Sequence, residues 1–246
     1  MIEDNGAHAR LGYGPGHYFR AIAGQDMAGV DVIGGQIVPG MDYWHDAFNN
    51  GGSNGEFYHH ALIELGASAA KLDPLKKGNL MCEAFGAYGW SEGLKMMKWI
   101  TEHCISHGVN VIVPHAFSPK VFPDRDCPPH FYADGCNPQF PYFHYLMSYT
   151  QRLLNLFSCG YHSANTGVLY HASLEWGADC MPVEKILKKC HKAFVSADII
   201  SADYLHDAVL QDNAFTISGY AYRTLIVPEC VFMSDHLRKD IERIAE

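Results

Sequence analysis

The sequence predicts an α/β protein with a parallel sheet. Segments with apolar residues at helical spacing alternate with short, continuous apolar runs along most of the 246 residues, and this alternation is typical of strand–helix–strand units. Hydrophobic residues make up 48% of the chain and charged residues 18%, which is the composition of a packed globular protein. The length fits one large domain or two ordinary ones.

The first part of the chain contains alternating helices and strands, most of which end at glycine or proline. We predict helices over residues 17–27, 56–65, 92–107 and 142–157, and strands over residues 30–34, 67–70, 80–85 and 109–115. A long polar loop rich in glycine and asparagine follows the first strand, and a proline-rich loop precedes the last helix.

A change in composition at residues 159–165 indicates a domain boundary, so residues 1–160 and 161–246 are predicted to form separate domains. The second domain has predicted strands over residues 166–171, 198–201 and 222–228 and helices over residues 183–195 and 234–246. The chain stops where a parallel sheet would need another strand, and it begins without the element that should precede its first turn. We therefore expect an internal part of a longer protein, whose localisation stays open between cytoplasmic and exported.

Charge and hydropathy exclude two classes of partner. The chain has 18 Lys and Arg against 27 Asp and Glu, a formal net charge of −9, so a surface that neutralises phosphates is not expected. No apolar run approaches the roughly 20 residues of a membrane helix, and the first residues lack the basic and apolar regions of a signal peptide. We expect neither a nucleic-acid nor a membrane partner.

Cysteine and histidine are frequent, yet their spacing predicts neither disulfides nor a metal site. The eight cysteines include no C-x-x-C pair, and several lie in apolar periodic segments, which favours reduced structural thiols. The fifteen histidines include no H-E-x-x-H motif, and the adjacent His59 and His60 would point to different faces of a helix. The sequence therefore predicts no metal and no cofactor.

Glu83 is the most informative local anomaly. It lies inside the apolar run Leu80–Phe85, where an unpaired buried carboxylate costs several kcal/mol. Glu83 must therefore have a Lys or Arg partner or face a polar cavity. Tyr88 and Trp90 follow it, and aromatic rings beside a carboxylate at the mouth of a parallel barrel are typical of sugar sites.

Other candidates lie at the ends of neighbouring strands. His115 follows the next strand and could donate to a sugar hydroxyl, although a core histidine is the alternative. Asp31 and Gln36 accompany the strand that begins at Val30. The predicted substrate-binding residues are Asp31, Gln36, Tyr43, Trp44, Tyr88, Trp90 and His115. For the loop that follows Gly40, a purely solvated surface is the alternative.

Five segments resemble the barrel region of bacterial glycoside hydrolases. They are Gln25–Asp31, Ala67–Lys71, Cys82–Trp90, Gly108–Val111 and Pro114–Phe117. They are similar to large proteins related to α-L-rhamnosidases and to families 2 and 42, over roughly residues 1–160, and the stretch E-A-F-G-x-x-G-W is the most specific part.

The resemblance implies the C-terminal half of a TIM (β/α)₈ barrel. The segment from Thr166 to Pro228 is similar to the flavodoxin-like or glutamine-amidotransferase-like domain that follows such barrels, which implies an incomplete flavodoxin-like domain and association of copies through it. The implied partner is a carbohydrate substrate.

The resemblance also implies the catalytic residues. Such barrels carry an acid/base Glu after strand four and a nucleophile Glu at the end of strand seven. If the strand at Val109 is the eighth, Glu83 lies on the seventh and the segment at Ala67 is the sixth. Val30 then starts the fifth, and Glu3 lies at the end of the fourth. Glu83 is then the nucleophile or general base. Glu3 or Asp4 matches the acid only by register, because the family's Asn-Glu pair is absent there.

The two carboxylates would hydrolyse an O-glycosidic bond, by retention or inversion. The alternative is a non-catalytic carbohydrate-binding or scaffolding protein with a degenerate barrel. A Glu83 ion-paired with Lys or Arg and closed off from solvent would favour that alternative. We also expect the isolated 246 residues to be inactive.

Overall fold

The computed structural model describes residues 17–46, 52–172 and 179–245. In these residues, helices pack on two three-stranded parallel sheets. The predicted α/β class is confirmed. No helix in the described ranges is long and apolar enough to span a membrane.

The strands are short, and most follow one another through a helix or a tight turn. In chain order they are β1 (Ala28–Val32), β2 (Trp44–Asp46), β3 (Gly52–Asn54), β4 (Leu80–Ala84), β5 (Val111–Pro114), β6 (Thr166–Tyr170), β7 (Ala197–Ser201), β8 (Val209–Gln211), β9 (Ala214–Ile217), β10 (Tyr220–Tyr222) and β11 (Thr224–Ile226).

The α-helices are α1 (Tyr18–Ala21), α2 (Gly55–Phe57), α3 (Ile63–Leu72), α4 (Leu94–Ser106), α5 (Phe140–Phe157), α6 (Val183–Lys192), α7 (Ala202–Leu205) and α8 (Asp235–Ala245). A π-helical turn over Tyr58–Leu62 joins α2 to α3. Such turns are rare in proteins, and many of those that occur lie at functional sites.

The first sheet has the strand order β1-β4-β5. On one face, Val30 and Leu80 approach Gly66 of α3, where an added Cβ would lie 2.6 Å from Leu80 Cδ1 and 3.0 Å from Val30 Cγ1. The Sγ atoms of Cys82 on β4 and Cys104 on α4 lie 3.8 Å apart. Helices α3 and α4 therefore cover this face.

The second sheet has the strand order β11-β6-β7, and α6 packs on β6. Helix α3 contacts this sheet as well, because Ser68 Oγ accepts a hydrogen bond from the Ile199 N–H at 2.8 Å. One helix thus lies between the two parallel sheets.

A buried ion pair strengthens the contact between α3 and the second sheet. Lys71 on α3 pairs with Asp198 on β7, whose side chain is 2% exposed. Tyr222 Oη donates to Asp198 Oδ2 at 2.6 Å, and His162 Nδ1 lies 3.1 Å from Asp198 Oδ1. Burial by itself raises the pKa of Asp198, but His162, Lys71 and Tyr222 outweigh it and hold the pKa below its usual value.

Antiparallel elements complete the fold. Strands β2 and β3 pair, and β8, β9 and β10 form a meander. In the meander, Phe215 stacks on Tyr222 with ring centroids 5.4 Å apart.

Several predicted elements have different bounds or a different type. The predicted strand over residues 67–70 is wrong, because Ala67 to Ala70 lie inside α3, whose small side chains fit between two sheets. The predicted strand over residues 222–228 is instead the end of β10 and the separate strand β11. The predicted helix over residues 17–27 ends at Ala21.

Candidate functional site

The face of the first sheet opposite α3 and α4 carries the predicted carboxylates. Asp31 of β1, Glu83 of β4 and Val113 of β5 are partners in register. Side chains alternate between the faces of a strand, and their neighbours Val30 and Cys82 face the helices. Asp31, Glu83 and Val113 therefore share the face away from the helices, where Val113 is 44% exposed.

Two carboxylates lie side by side on this face. Neighbouring strands are about 4.8 Å apart, so the side chains of Asp31 and Glu83 start from adjacent positions. Asp31 is buried, whereas Glu83 is half-buried. No side chain of the described ranges forms an ion pair or a hydrogen bond with the Glu83 carboxylate. Glu83 therefore faces accessible space in this part of the protein.

The backbone after Glu83 adopts an unusual conformation. Phe85 and Ala87 have φ angles of 84° and 58°, which non-glycine residues rarely adopt and which cluster at functional sites. The proline-rich loop holds this segment in place, because Ala87 N–H donates to the carbonyl of Cys127 at 3.2 Å and Gly89 N–H to that of Pro128 at 2.8 Å. Cys127 is also close to the carboxylate pair, since burial, Asp126, Asp31 and Glu83 together raise the pKa of its thiol.

His115 is placed beside the carboxylates. It comes two residues after Val113, and its N–H extends the ladder by donating to the Ala84 carbonyl at 2.8 Å. A Cβ on Gly86 would lie 3.1 Å from the His115 ring, so glycine allows the ring to approach the backbone. Its Nδ1 atom is buried against Gly86 and has no hydrogen-bond partner among the described residues.

The predicted aromatic residues have different surroundings. Trp90 is 41% exposed and packs edge-on against Phe122 and His130 of the proline-rich loop. Tyr88 is buried, and its hydroxyl donates to the Ile37 carbonyl at 2.9 Å and accepts from the Ile37 N–H at 3.2 Å. Trp90 is therefore placed to contact a ligand, whereas Tyr88 joins two loops.

Three other predicted binding residues lie on the segment after β1. Gln36 Oε1 accepts a hydrogen bond from the Ile33 N–H at 3.2 Å and closes the turn that follows the strand. Tyr43 and Trp44 are exposed at the start of the β2–β3 hairpin. That hairpin is anchored to α6 by the preceding Asp42, whose Oδ2 lies 3.1 Å from Lys188 Nζ.

The predicted acids Glu3 and Asp4 lie outside the described residues. Their assignment depended on a strand count that included residues 67–70. Because these residues are helical and β1 pairs directly with β4, one strand lies between β1 and β5 in the first sheet, where the sequence predicted two. The register argument for Glu3 and Asp4 therefore no longer applies.

Sequence reasoning missed one buried carboxyl group near the site. Glu92, two residues after Trp90, is 7% exposed, and neither of its side-chain oxygens has a hydrogen-bond partner among the described residues. Burial raises its pKa to about 9, so Glu92 is protonated at neutral pH. Its position between Ser91 and Gly93 is typical of a solvent-exposed helix start, so no sequence pattern indicates that Glu92 is buried.

A cavity of about 520 Å³ opens beside the unusual backbone segment. Its walls come from the segment after β4 and from the proline-rich loop, including Ala87, Ser91, Arg125 and Asp126. It is large enough for a small polar ligand.

Comparison with known proteins gives a likeness of fold. No family model matches the sequence, and a search of curated proteins finds no match. Among solved structures, the chain is similar to the rhamnosidase from Novosphingobium sp. PP1Y, with a TM-score of 0.52 and 17% identity over 76% of this chain. The match covers 18% of the rhamnosidase chain, so this chain spans less than a fifth of its length.

Proposed function

We propose that this chain contributes the catalytic face of a glycoside hydrolase, with Glu83 as nucleophile or general base. The observation that carries the proposal is the position of Glu83 at the end of a parallel strand, beside Asp31 and away from the covering helices. A carboxylate with a purely structural role in such a strand would need a cationic partner, and the described residues provide none. The fold likeness to a rhamnosidase supports the same reaction class.

The fold assignment in this proposal is the C-terminal part of a (β/α)₈ barrel over residues 1–160. Strands β1, β4 and β5 are neighbours in chain order, with helices α3 and α4 between them, as in such barrels. Active sites there lie at the carboxyl ends of the strands, where Glu83 and His115 are found. On this assignment β1 is the sixth strand, β4 the seventh and β5 the eighth.

Residues 161–246 are proposed as an incomplete flavodoxin-like domain. Support comes from the position of β6 between β7 and β11, because a first strand with later strands on both sides is typical of doubly wound sheets. Association of copies would use this domain.

The proposed chemistry divides between two carboxyl groups. One acid protonates the leaving oxygen, and Glu83 attacks the anomeric carbon or removes a proton from water. Asp31 and His115 would bind sugar hydroxyls on the same face, and the exposed ring of Trp90 would stack on the apolar face of the sugar. Because the strand count no longer supports Glu3 or Asp4, the proposal assigns the acid to no particular residue.

Hydrolysis of a panel of aryl glycosides, including an α-L-rhamnoside, tests the proposal. The protein expressed from its natural reading frame is compared with its Glu83→Gln variant. We expect Glu83→Gln to abolish most turnover, because the amide can neither attack nor take a proton. Glu102→Gln is the matched control, since Glu102 is a surface residue of α4 that pairs with Lys98.

A second measurement separates the two roles of Glu83. Azide added to a Glu83→Ala variant would replace a missing nucleophile or base and yield a glycosyl azide. Azide attacks opposite the leaving group in either case, so the configuration of the sugar that the unaltered protein first releases separates the roles. Retention means that Glu83 is the nucleophile, and inversion means that it is the general base. Sugar binding with no hydrolysis by the unaltered protein would instead support the non-catalytic alternative.

A further inference from the structure

A cluster of histidines lies on the helix side of the first sheet, where α3, α4 and α6 meet. Glu64 of α3, His107 at the end of α4 and His191 of α6 each offer one ligand atom, and these atoms lie within 4.8 Å of one another. Glu64 is 6% exposed, and the two histidines are half-buried. The group contains none of the residues proposed for sugar hydrolysis.

Hydrogen bonds set the tautomer of His191. The Asp42 carboxylate lies 3.1 Å from Lys188 Nζ and can only accept hydrogen bonds. His60 Nε2 lies 3.3 Å from Asp42 Oδ2 and therefore carries a proton. In this tautomer of the neutral imidazole, His60 Nδ1 accepts a hydrogen bond from His191 Nδ1 at 2.9 Å. With its proton on Nδ1, the His191 imidazole has its lone pair on Nε2, 3.4 Å from Glu64 Oε1.

A backbone carbonyl sets the tautomer of His107. His107 Nδ1 lies 2.8 Å from the carbonyl oxygen of His103, which can only accept, so Nδ1 carries the proton. In the neutral ring the lone pair is then on Nε2. A carbonyl that fixes the far nitrogen in this way is the usual support of a metal-binding histidine.

We propose that Glu64, His107 and His191 bind a divalent transition-metal ion, with Zn²⁺ the best fit. Two imidazole nitrogens and a carboxylate oxygen lie within 4.8 Å of one another, and a cation between them would be bound by all three. Zn²⁺ bonds of about 2.0–2.1 Å in a tetrahedral site place ligand atoms roughly 3.3 Å apart, close to the 3.4 Å between His191 and Glu64. Water completes the coordination from the exposed side.

The ion would link helices that come from distant parts of the chain. Its ligands are 43 and 84 residues apart in sequence, at positions 64, 107 and 191, which is why no metal motif is visible there. The prediction of no metal site depended on the adjacent His59 and His60, which would point to different faces of a helix. In the proposed site His60 acts on the metal only through His191.

Metal titration of the 246-residue chain tests the proposal. The chelator-treated protein is titrated with Zn²⁺ by calorimetry, and with Co²⁺ while the visible d–d bands are recorded. We expect one equivalent to bind, with Co²⁺ bands of a nitrogen and oxygen site, and Zn²⁺ to raise the temperature of unfolding. No saturable binding by the unaltered chain, or no Co²⁺ bands, would overturn the proposal and would leave a direct contact between His191 and Glu64 as the explanation.

Substitutions of the proposed ligands test which residues bind the ion. Glu64→Gln and His191→Gln should weaken Zn²⁺ binding at least about 100-fold, and His60→Phe about 10- to 100-fold, because it supports a ligand. His236→Ala is the control, since His236 belongs to a separate group with His206 and Asp240 in which both histidines are exposed. Binding that is lost in His236→Ala and kept in folded Glu64→Gln would contradict the assignment. If Glu64→Gln fails to fold, the His60→Phe affinity decides.

Discussion

At the residue scale, Glu92 links burial directly to a pH effect. Its folded pKa of about 9 is above the ordinary value of 4.5, so the folded state holds a proton that the unfolded chain releases. The stability contributed by this proton is full below pH 4.5 and is lost as the pH rises through about 9. We expect Glu92→Gln to raise the free energy of unfolding at pH 8 by on the order of 2 kcal/mol and by much less at pH 4. Urea denaturation at both pH values measures this, and an equal effect at the two would contradict it.

The contribution of Asp198 to stability changes with pH in the opposite direction. Its folded pKa is below the usual value, so its contribution to stability is present above the unfolded pKa and is lost as the pH falls through the folded one. Asp198→Asn leaves Lys71 buried without its carboxylate, so the free energy of unfolding at pH 7 should fall by about 3–5 kcal/mol. The loss should be smaller at pH 2, because protonation of the carboxylate in the unaltered protein removes the same ion pair. A urea titration that shows the same loss at both pH values would sink this assignment.

At the scale of elements, Gly66 determines how closely α3 approaches the first sheet. A methyl group there would meet Leu80 Cδ1 at 2.6 Å, so Gly66→Ala should lower the free energy of unfolding by about 1–3 kcal/mol despite the better helix propensity of alanine. Gly160→Ala is the matched control, because an added Cβ there meets nothing within 4 Å. Thermal unfolding of both variants checks the prediction, and equal melting temperatures would contradict it.

The sequence was sufficient for elements whose pattern is local. The continuous apolar runs at Val30, Leu80 and Val168 predicted strands that the structure contains. It was insufficient where tertiary packing decides, because Ala67 to Ala70 are small enough for either a crowded strand or a helix between two sheets. Contacts between distant positions, such as Glu64 with His191, leave no local pattern at all. Glu83 could be identified because a charge in an apolar run is a local anomaly.

At the scale of the whole molecule, α3 has contacts on both sides. It packs on β1 and β4 with Gly66 and on β7 with Ser68, and it contributes Lys71 to the buried ion pair. The proposed metal ligand Glu64 lies on the same helix. A change in α3 should therefore affect both sheets, whereas the face proposed to bind sugar lies on the other side of the first sheet.

The rate of aryl-glycoside hydrolysis by Glu83→Gln decides whether that face is catalytic. We expect a fall in kcat of about 10²- to 10⁴-fold, the usual contribution of a catalytic acid or base, with an unchanged melting temperature and with Glu102→Gln fully active. Turnover by a folded Glu83→Gln protein at the rate of the unaltered protein would contradict it.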